Sequence, residues 1–340
     1  MTWFESLTGI TEFNPDQVRS NFTLDRTNLI SNVNGKNLTC GRLETPSLKE
    51  LRARVRSSGI RAGRLTVREI VASAQDLHLH KDNAGSIFQV ASQFNLLEMT
   101  SPNITPEHGV GIYERDFTQG PACAIACGAG TIFRNYFTDL SGRLGQTETH
   151  QIDCLEDIGT ALGNSQNELW EMRNGYALVT ENGLKKISSR LRSASEDDRD
   201  ILRQKLRIGL QWDTQVTLGS SEHLVSQIFC SALPVSYCDV PSHLWADFAQ
   251  FVLESTYEAT ICAAALNSLR TGNPKVFLTL VGGGAFGNRI DWIIDGIERV
   301  LDLYRNLPLE IAIVSYGRTN QSIQLLVNQY NNRYERKKLL

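Results

Sequence analysis

The chain has 340 residues, of which 41% are hydrophobic and 21% charged, and its formal net charge is −3. This length accommodates one large domain or two modest ones, with enough apolar residues for a sizeable core. The small net charge argues against a nucleic acid partner, and no segment has the roughly 18 uninterrupted apolar residues of a membrane span. The opening MTWFESLTGITEFNPDQ lacks the basic-then-apolar layout of a secretion signal, so we expect a cytoplasmic protein with no membrane contact.

The cysteines and histidines predict no disulfide framework and no metal site. The seven cysteines are odd in number, scattered and free of any CxxC pair, which favours reduced, buried thiols. His78 and His80 are two residues apart, so they would share a strand face and could ligate a metal, but no third ligand has suitable spacing. We therefore predict that no metal and no cofactor is required.

Residues 1–64 are predicted to form a helical or irregular N-terminal extension. Its basic stretch, LKELRARVRSSGIRAGRLTVR, could contact an acidic partner or a nucleic acid backbone. The simpler interpretation of this stretch is a helix with one face exposed to water, followed by a loop. Runs of charged residues usually face solvent, and no aromatic residues are interleaved here for base stacking.

From residue 65 onwards, predicted strands alternate with predicted helices. LTVREIVA, SIFQVAS, VSQIFCSALPVSY, VFLTLV and LEIAIVSYG have the apolar pattern of strands, and a helix is predicted across PACAIACGAGTIFRNYF. This alternation predicts an α/β fold with three layers, a mixed sheet between two layers of helices, over residues 65–320. The charged segment at about 137–206 is predicted as a helical insertion, and residues 321–340 as a polar C-terminal tail.

The segment KVFLTLVGGGAFGNRIDWIID, at residues 275–295, predicts a buried strand, a glycine-rich turn and a helix that opens near Asn288. Gly282, Gly283 and Gly284 permit positive φ and a close approach of the backbone to a ligand. The N-terminus of the following helix would direct free N–H groups at an anion. A phosphate site is therefore one interpretation, and a tight turn without a ligand is the other.

Ligands of open sheets gather at the carboxyl ends of the strands, so the loops after SIFQVAS, VFLTLV and IAIVSYG should line one cleft. The first of these loops carries amide and acid groups at Gln93, Asn95 and Glu98. Further along, polar and glycine residues precede Pro121 at the predicted start of a second helix; they are Asp116, Thr118, Gln119 and Gly120. Two such helix starts suit a ligand with two phosphates.

With these pieces in this order, the segment from residue 65 to about residue 317 resembles a macrodomain, the ADP-ribose-binding fold. The resemblance is strongest in GGGAFGN and does not extend to residues 1–64. It implies that Asn95 holds the distal ribose and that Thr118 to Pro121 form the first phosphate loop. The second phosphate loop would consist of Gly282, Gly283, Gly284, Ala285, Phe286, Gly287 and Asn288.

The same resemblance implies an adenine site between Tyr316, just after the last strand, and Asp76. In the family the aspartate that reads adenine follows the first strand within a triplet such as Gly-Asp-Ile, whereas this sequence has Ser73-Ala74-Gln75 before Asp76. The long first loop carries Glu98, Glu107, Glu114 and Asp116, which resembles the hydrolase branches, namely the poly-ADP-ribose glycohydrolase-like and the arginine-specific ADP-ribosyl hydrolases.

The sequence therefore predicts a hydrolase that removes mono-ADP-ribose from protein side chains, with arginine as the preferred linkage and an ADP-ribosylated protein as partner. Cleavage passes through an oxocarbenium-like transition state, which carboxylates stabilise while an acid assists the leaving group. Glu98 and Asp116 are the predicted catalytic residues, although each could instead cap a helix or form an ion pair. Two other hypotheses remain open here: a module that binds ADP-ribose or a nucleoside diphosphate without cleaving it, and a structural or regulatory interaction protein.

Overall fold

The computed structural model describes residues 1–219 and 221–335. The strands are β1 Phe22–Asp25, β2 Asn28–Ser31, β3 Asn37–Thr39, β4 Arg42–Glu44, β5 Thr66–Val71, β6 Ile87–Ala91, β7 Asp139–Leu140, β8 Arg143–Leu144, β9 Trp170–Arg173, β10 Tyr176–Val179, β11 Gly209–Gln215, β12 Leu224–Cys230, β13 Lys275–Leu278 and β14 Glu310–Ser315. The α-helices are α1 Trp3–Thr8, α2 Pro15–Ser20, α3 Leu48–Ser57, α4 Ala74–Leu79, α5 Gln119–Ala126, α6 Gly128–Tyr136, α7 Glu156–Leu162, α8 Glu181–Ser193, α9 Glu196–Arg203, α10 Ala246–Thr271, α11 Ile290–Leu303 and α12 Gln321–Glu335.

A seven-stranded sheet in the order β4-β11-β12-β6-β13-β14-β5 forms the centre of the molecule. The five strands from β12 to β5 are mutually parallel, and β11 and β4 continue the sheet in antiparallel pairing. The parallel strands are apolar along most of their length because both faces of the sheet are covered. Their carboxyl ends share one edge, where the loops that follow β6, β13 and β14 meet.

Helices pack on both faces of this sheet. On one face α10, which is almost fully buried, packs against β12 and β6 and is covered in turn by α3, α8 and α11. On the other face α4, α5 and α6 pack together, with α5 against β6 and α6 against β11. The predicted α/β fold with a mixed sheet between two layers of helices is confirmed. Across residues 1–219 and 221–335, no helix has the length and apolar character needed to cross a membrane.

The predicted N-terminal extension is an integral part of the fold. Its strand β4 forms the edge of the central sheet, and α3 packs against α10. The carboxylate of Glu12 accepts hydrogen bonds from the backbone N–H groups of Val110 (2.9 Å) and Gly111 (2.7 Å) and from the hydroxyl of Tyr136 (2.5 Å). The sequence missed this integration because it depends on contacts between residues about 100 to 200 positions apart, which local patterns do not report.

The other two predicted segments differ from the structure in what they contain. The region predicted as a helical insertion contains α7, α8 and α9 but also two hairpins, β7–β8 and β9–β10. The predicted polar tail contains α12, which packs against β5 and α11 and buries Ile323, Leu326 and Tyr330. These three residues follow the three-and-four spacing of a buried helix face. Residues 336–340 of the tail lie outside the described residues.

An ion-pair network joins α3, α9, α10 and α11 on one face of the sheet. Its centre is Glu258 of α10, which is only 2% exposed and accepts hydrogen bonds from Arg52 (2.6 Å), Arg299 (2.6 Å) and the hydroxyl of Tyr304 (2.9 Å). Burial alone would raise the pKa of Glu258, but the hydrogen bonds from the two arginines outweigh it and lower that pKa. The buried carboxylate is therefore ionised and fully hydrogen-bonded.

We expect Glu258→Gln to lower the free energy of unfolding by about 3 kcal/mol or more, because it leaves two partly buried guanidinium groups without their shared carboxylate. Because the pKa of Glu258 is lowered on folding, its contribution is present above its unfolded pKa and is lost as the pH falls. Glu171→Gln is the matched control, since Glu171 pairs with Arg173 while 51% exposed, and should change stability by less than about 1 kcal/mol. Urea unfolding measures both; an equal effect of the two substitutions would contradict this account.

Candidate functional site

A cavity of about 790 Å³ lies at the carboxyl edge of the parallel strands. The loops after β6, β13 and β14, which the sequence predicted to line one cleft, all contribute to it, and so does the start of α5. Among the described residues, those lining the cavity are Trp3, residues 72–75, residues 91–93, residues 98–100, Glu114, residues 116–122, Ile125, Tyr176, Ala232, Tyr237, residues 279–286, Val314 and Tyr316.

The glycine loop connects β13 to α11 at one side of this cavity. Gly282 has φ +77°, and a Cβ there would lie 2.4 Å from the Cβ of Ala232, so only glycine fits. The loop closes through the N–H of Asn288 to the carbonyl of Gly282, and α11 begins two residues later than predicted, at Ile290. Within the described part of the chain, the N–H groups of Gly284, Ala285 and Phe286 donate no hydrogen bond. They are available to an anion in the cavity.

The start of α5 lies across the cavity from the glycine loop. Thr118 is the N-cap residue, and Asp116 accepts a hydrogen bond from the N–H of Thr118 (2.8 Å). Gln119 binds back to β6, accepting from the N–H of Ala91 (3.0 Å) and donating to the carbonyl of Gln89 (3.2 Å). The predicted long helix is two helices, since the backbone breaks at Cys127 between α5 and α6.

Glu98 is 3% exposed and lies at the floor of the cavity against the first turn of α5. A Cβ on Gly120 would lie 2.3 Å from Oε2 of Glu98, so the absence of a side chain at position 120 permits this approach. Oε1 of Glu98 has no hydrogen-bond partner among the described residues. Burial raises the pKa of Glu98 well above its ordinary value, the cation of Arg134 opposes this rise, and the charge of Asp116 adds to it.

The loop that carries Glu98 is held by side chains rather than by regular structure. Oε1 of Gln93 accepts the N–H of Met99 (2.9 Å), and Oδ1 of Asn95 accepts the N–H of Leu97 (3.1 Å). The hydroxyl of Tyr113 accepts the N–H of Glu98 itself (3.0 Å). Leu96 has φ +66°, a left-handed conformation that is rare and costly for a branched side chain. Strain of this kind persists where surrounding contacts fix it, and it concentrates at functional sites.

Most predicted site residues lie in the cavity wall. Glu98, Asp116, Gln93, Thr118, Gln119, Gly120, Tyr316 and residues 282–286 line the cavity. Their roles as catalytic or ligand-binding residues remain predictions.

Four predicted ligand-binding residues do not line the cavity. Asn95 is fully buried and donates to Gln151 (2.8 Å) in addition to its bond with Leu97, so its side chain supports the loop of Glu98. Asn288 is buried and donates to the carbonyl of Leu233 (2.8 Å), while Gly287 packs against Ser236. Asp76 is exposed on α4 and is not among the residues that line the cavity. The side chains of Asn95 and Asn288 therefore form hydrogen bonds with backbone groups of the protein.

The sequence did not identify four aromatic residues that line the cavity, namely Trp3, Phe117, Tyr176 and Tyr237. Tyr176 donates its hydroxyl to the carbonyl of Met99 (2.6 Å), and its ring centroid lies 5.3 Å from that of Phe286 and 5.0 Å from that of Tyr237. The signal for Tyr176 was Asn174-Gly175, a dipeptide typical of tight hairpins, which forms the turn between β9 and β10 with positive φ at both residues.

Trp3 reaches the cavity from the N-terminal segment. Its indole N–H donates to the carbonyl of Val110 (3.0 Å), and its backbone N–H donates to Glu114 (2.9 Å). The N-terminal helix therefore contributes to the same wall as the segment that carries Asp116. No local pattern in the sequence indicated this contribution.

Comparison with known proteins gives similarity to solved structures only. No protein-family model matches the sequence, and no curated protein matches it. Poly(ADP-ribose) glycohydrolase from Thermomonospora curvata, bound to the inhibitor ADP-HPD, is similar with a TM-score of 0.44 and 9% identity, covering 92% of this chain and 95% of that chain. Poly(ADP-ribose) glycohydrolase from Deinococcus radiodurans, in complex with ADP-ribose, has a TM-score of 0.43 and 11% identity, covering 86% and 94%. At such identities and TM-scores, the function has to be argued from the site itself.

We expect Gly120→Ala to displace Glu98 and to destabilise the protein by about 1–3 kcal/mol, because the added methyl group would overlap the carbonyl of Ala91 and the carboxylate of Glu98. Gly284→Ala is the matched control in the same cavity, since nothing lies within 4 Å of a Cβ there and its φ is not positive. Thermal unfolding of the two variants measures the difference. Equal stability of both variants would show that Glu98 is not packed against α5 as described.

Proposed function

We propose that the protein is an ADP-ribosyl hydrolase, which cleaves the glycosidic bond at the distal ribose of ADP-ribose attached to another molecule. The observation that carries the proposal is the position of Glu98, a buried carboxyl group at the floor of a cavity that is lined by the start of α5 and by a glycine loop with free N–H groups. The loops suit the two phosphates of ADP-ribose, and the carboxyl group suits the adjoining ribose. The resemblance of the sequence to macrodomains supports the same ligand.

Two carboxyl groups of the cavity lie in different environments, which favours different roles. Glu98 is fully buried and burial raises its pKa, so it retains a proton at pH values where an exposed carboxyl group has lost it. Asp116 is partly exposed and accepts only the N–H of Thr118. Glu98 is therefore suited to donate a proton, and Asp116 to accept one.

In the proposed reaction, the bond between the anomeric carbon and the leaving nitrogen or oxygen breaks as water attacks that carbon. Glu98 donates its proton to the leaving atom, and Asp116 receives a proton from the attacking water. The negative charge of Asp116 also stabilises the oxocarbenium character of the ribose. Free N–H groups of Gly284, Ala285 and Phe286 hold a phosphate and thereby fix the ribose relative to both carboxyl groups.

The wall of the cavity favours a cationic leaving group. Glu114 and Asp116 add two carboxylates to the lining beside Glu98. A guanidinium group pairs well with carboxylates, so we propose ADP-ribosylated arginine as the linkage. The alternative leaving group is a ribose hydroxyl of poly(ADP-ribose), the substrate named for the similar solved structures, and it belongs in the same assay.

The test compares release of ADP-ribose from arginine-ADP-ribosylated protein and from poly(ADP-ribose). We expect Glu98→Gln and Asp116→Asn each to lower kcat at least about 100-fold while binding of free ADP-ribose changes little, since proton transfer contributes about 10²–10⁴ to a rate. The rate should also fall as the pH rises through the pKa of Glu98, because that carboxyl group donates only when it is protonated. Chromatography of the released nucleotide measures all three expectations.

Glu107→Gln is the matched control. Glu107 belongs to the same acidic segment, but its carboxylate accepts the N–H of Glu148 (2.9 Å) and it does not line the cavity. This variant should keep the wild-type rate. Wild-type rates in both Glu98→Gln and Asp116→Asn would contradict the assigned residues. Tight binding of ADP-ribose without release from either substrate would instead show a binding module, and absence of binding to ADP-ribose would contradict the proposed ligand.

A further inference from the structure

Arg134 of α6 is a fully buried cation beside the loop of Glu98. Its Nε donates to the carbonyl of Leu96 (3.1 Å), and its Nη2 donates to the hydroxyl of Thr131 (3.0 Å). The guanidinium carbon lies 3.5 Å from the centroid of the Phe229 ring, a stacked cation–π arrangement. Arg134 thus holds the carbonyl of the residue with left-handed backbone, two positions before Glu98.

A guanidinium group in such a place is costly unless a negative charge compensates it. Among residues 1–219 and 221–335, no carboxylate lies within ion-pair distance of Arg134, and its Nη1 has no hydrogen-bond partner. Glu98, the neighbouring carboxyl group, likewise has Oε1 without a partner. Arg134 and Glu98 are therefore two buried ionisable groups, each with a polar atom that has no partner, and Arg134 is hydrogen-bonded to the loop that carries Glu98.

Few other titratable groups face Glu98. They are Asp116 before α5, Tyr113 in the preceding turn, Cys123 of α5, Tyr176 of β10 and Cys230 of β12. Burial raises the pKa of the tyrosines and the cysteines, so these four groups are neutral at ordinary pH. Arg134 is then the cation that acts on Glu98, and the negative charge of Asp116 opposes its effect.

We propose that Arg134 is a positioning residue for the hydrolysis, which fixes the strained loop through Leu96 and sets the charge state of Glu98 without touching the substrate. The role of Arg134 in catalysis rests on the proposed function, whereas its effect on Glu98 does not. An acid buried with no cation nearby would hold its proton too tightly to donate it, whereas the guanidinium group stabilises the carboxylate left after donation. The ring of Phe229 and the hydroxyl of Thr131 keep that cation in place.

The direct test is an NMR titration of the full-length protein labelled with ¹³C at glutamate carboxyl groups, in which the Glu98 signal is the one missing from Glu98→Gln. In Arg134→Met, which keeps the length of the side chain but removes its charge, we expect the pKa of Glu98 to rise by about one unit or more, a tenfold tighter hold on the proton. Arg134→Lys, which restores the charge, should recover part of this change. An unchanged titration of Glu98 in folded Arg134→Met would overturn the proposal.

A second NMR measurement needs no substitution at Arg134. In the wild-type protein, the ¹⁵N signal of the Arg134 side chain should shift with the ionisation of Glu98, and this shift should disappear in Glu98→Gln. If the signal shows no titration in the wild type, or the same titration in both proteins, an electrostatic effect of Arg134 on Glu98 is excluded. This reading decides the question even where Arg134→Met fails to fold.

Activity adds a readout that a purely structural role would not change. In Arg134→Met the high-pH limit of ADP-ribose release should move to higher pH along with the pKa of Glu98, whereas a structural defect would lower the rate equally at every pH. Neither NMR reading requires substrate. A protein that releases no ADP-ribose but shows both NMR effects would contradict the proposed hydrolysis. It would still support the electrostatic effect of Arg134 on Glu98.

Discussion

Burial of the Glu98 carboxyl group is the constraint on which the arrangement of the cavity depends. A carboxyl group that is 3% exposed must be held in place by its surroundings, since water cannot solvate it or average its position. The loop that carries it includes a left-handed leucine, and side chains from the loop itself and from two other elements of the fold bind its backbone. Gln93 and Asn95 act from within the loop, Arg134 from α6 and Tyr113 from the turn before α5.

The rest of the fold supplies the surfaces around this group. The parallel strands bring the loop after β6 and the glycine loop after β13 to one edge of the sheet. Gly120 lets the first turn of α5 approach the carboxyl group, and a helix N-terminus favours negative charge near it. The N-terminal segment, through Glu12 and Trp3, holds the backbone that leads to Asp116. Stability and site geometry therefore share the same contacts.

The sequence predicted the parts of this arrangement that have local patterns. Apolar runs located the parallel strands, and the glycine triplet after one of them located a loop of the cavity. The sequence did not predict that Asn95 and Asn288 would bind backbone groups. An asparagine is the same in the sequence whether its side chain binds a ligand or a backbone group. The sequence also missed Trp3 and the buried face of α12, since both depend on packing between segments far apart in the chain.

The central claim is that one ADP-ribose unit lies in the cavity with its distal ribose at Glu98, and a crystal structure of the full-length protein with ADP-ribose tests it most directly. The account predicts the diphosphate between the start of α5 and residues 282–286, adenine near Tyr316, and the anomeric carbon facing Glu98. The account would be contradicted by ADP-ribose bound elsewhere on the protein, or bound in this cavity with its distal ribose turned away from Glu98.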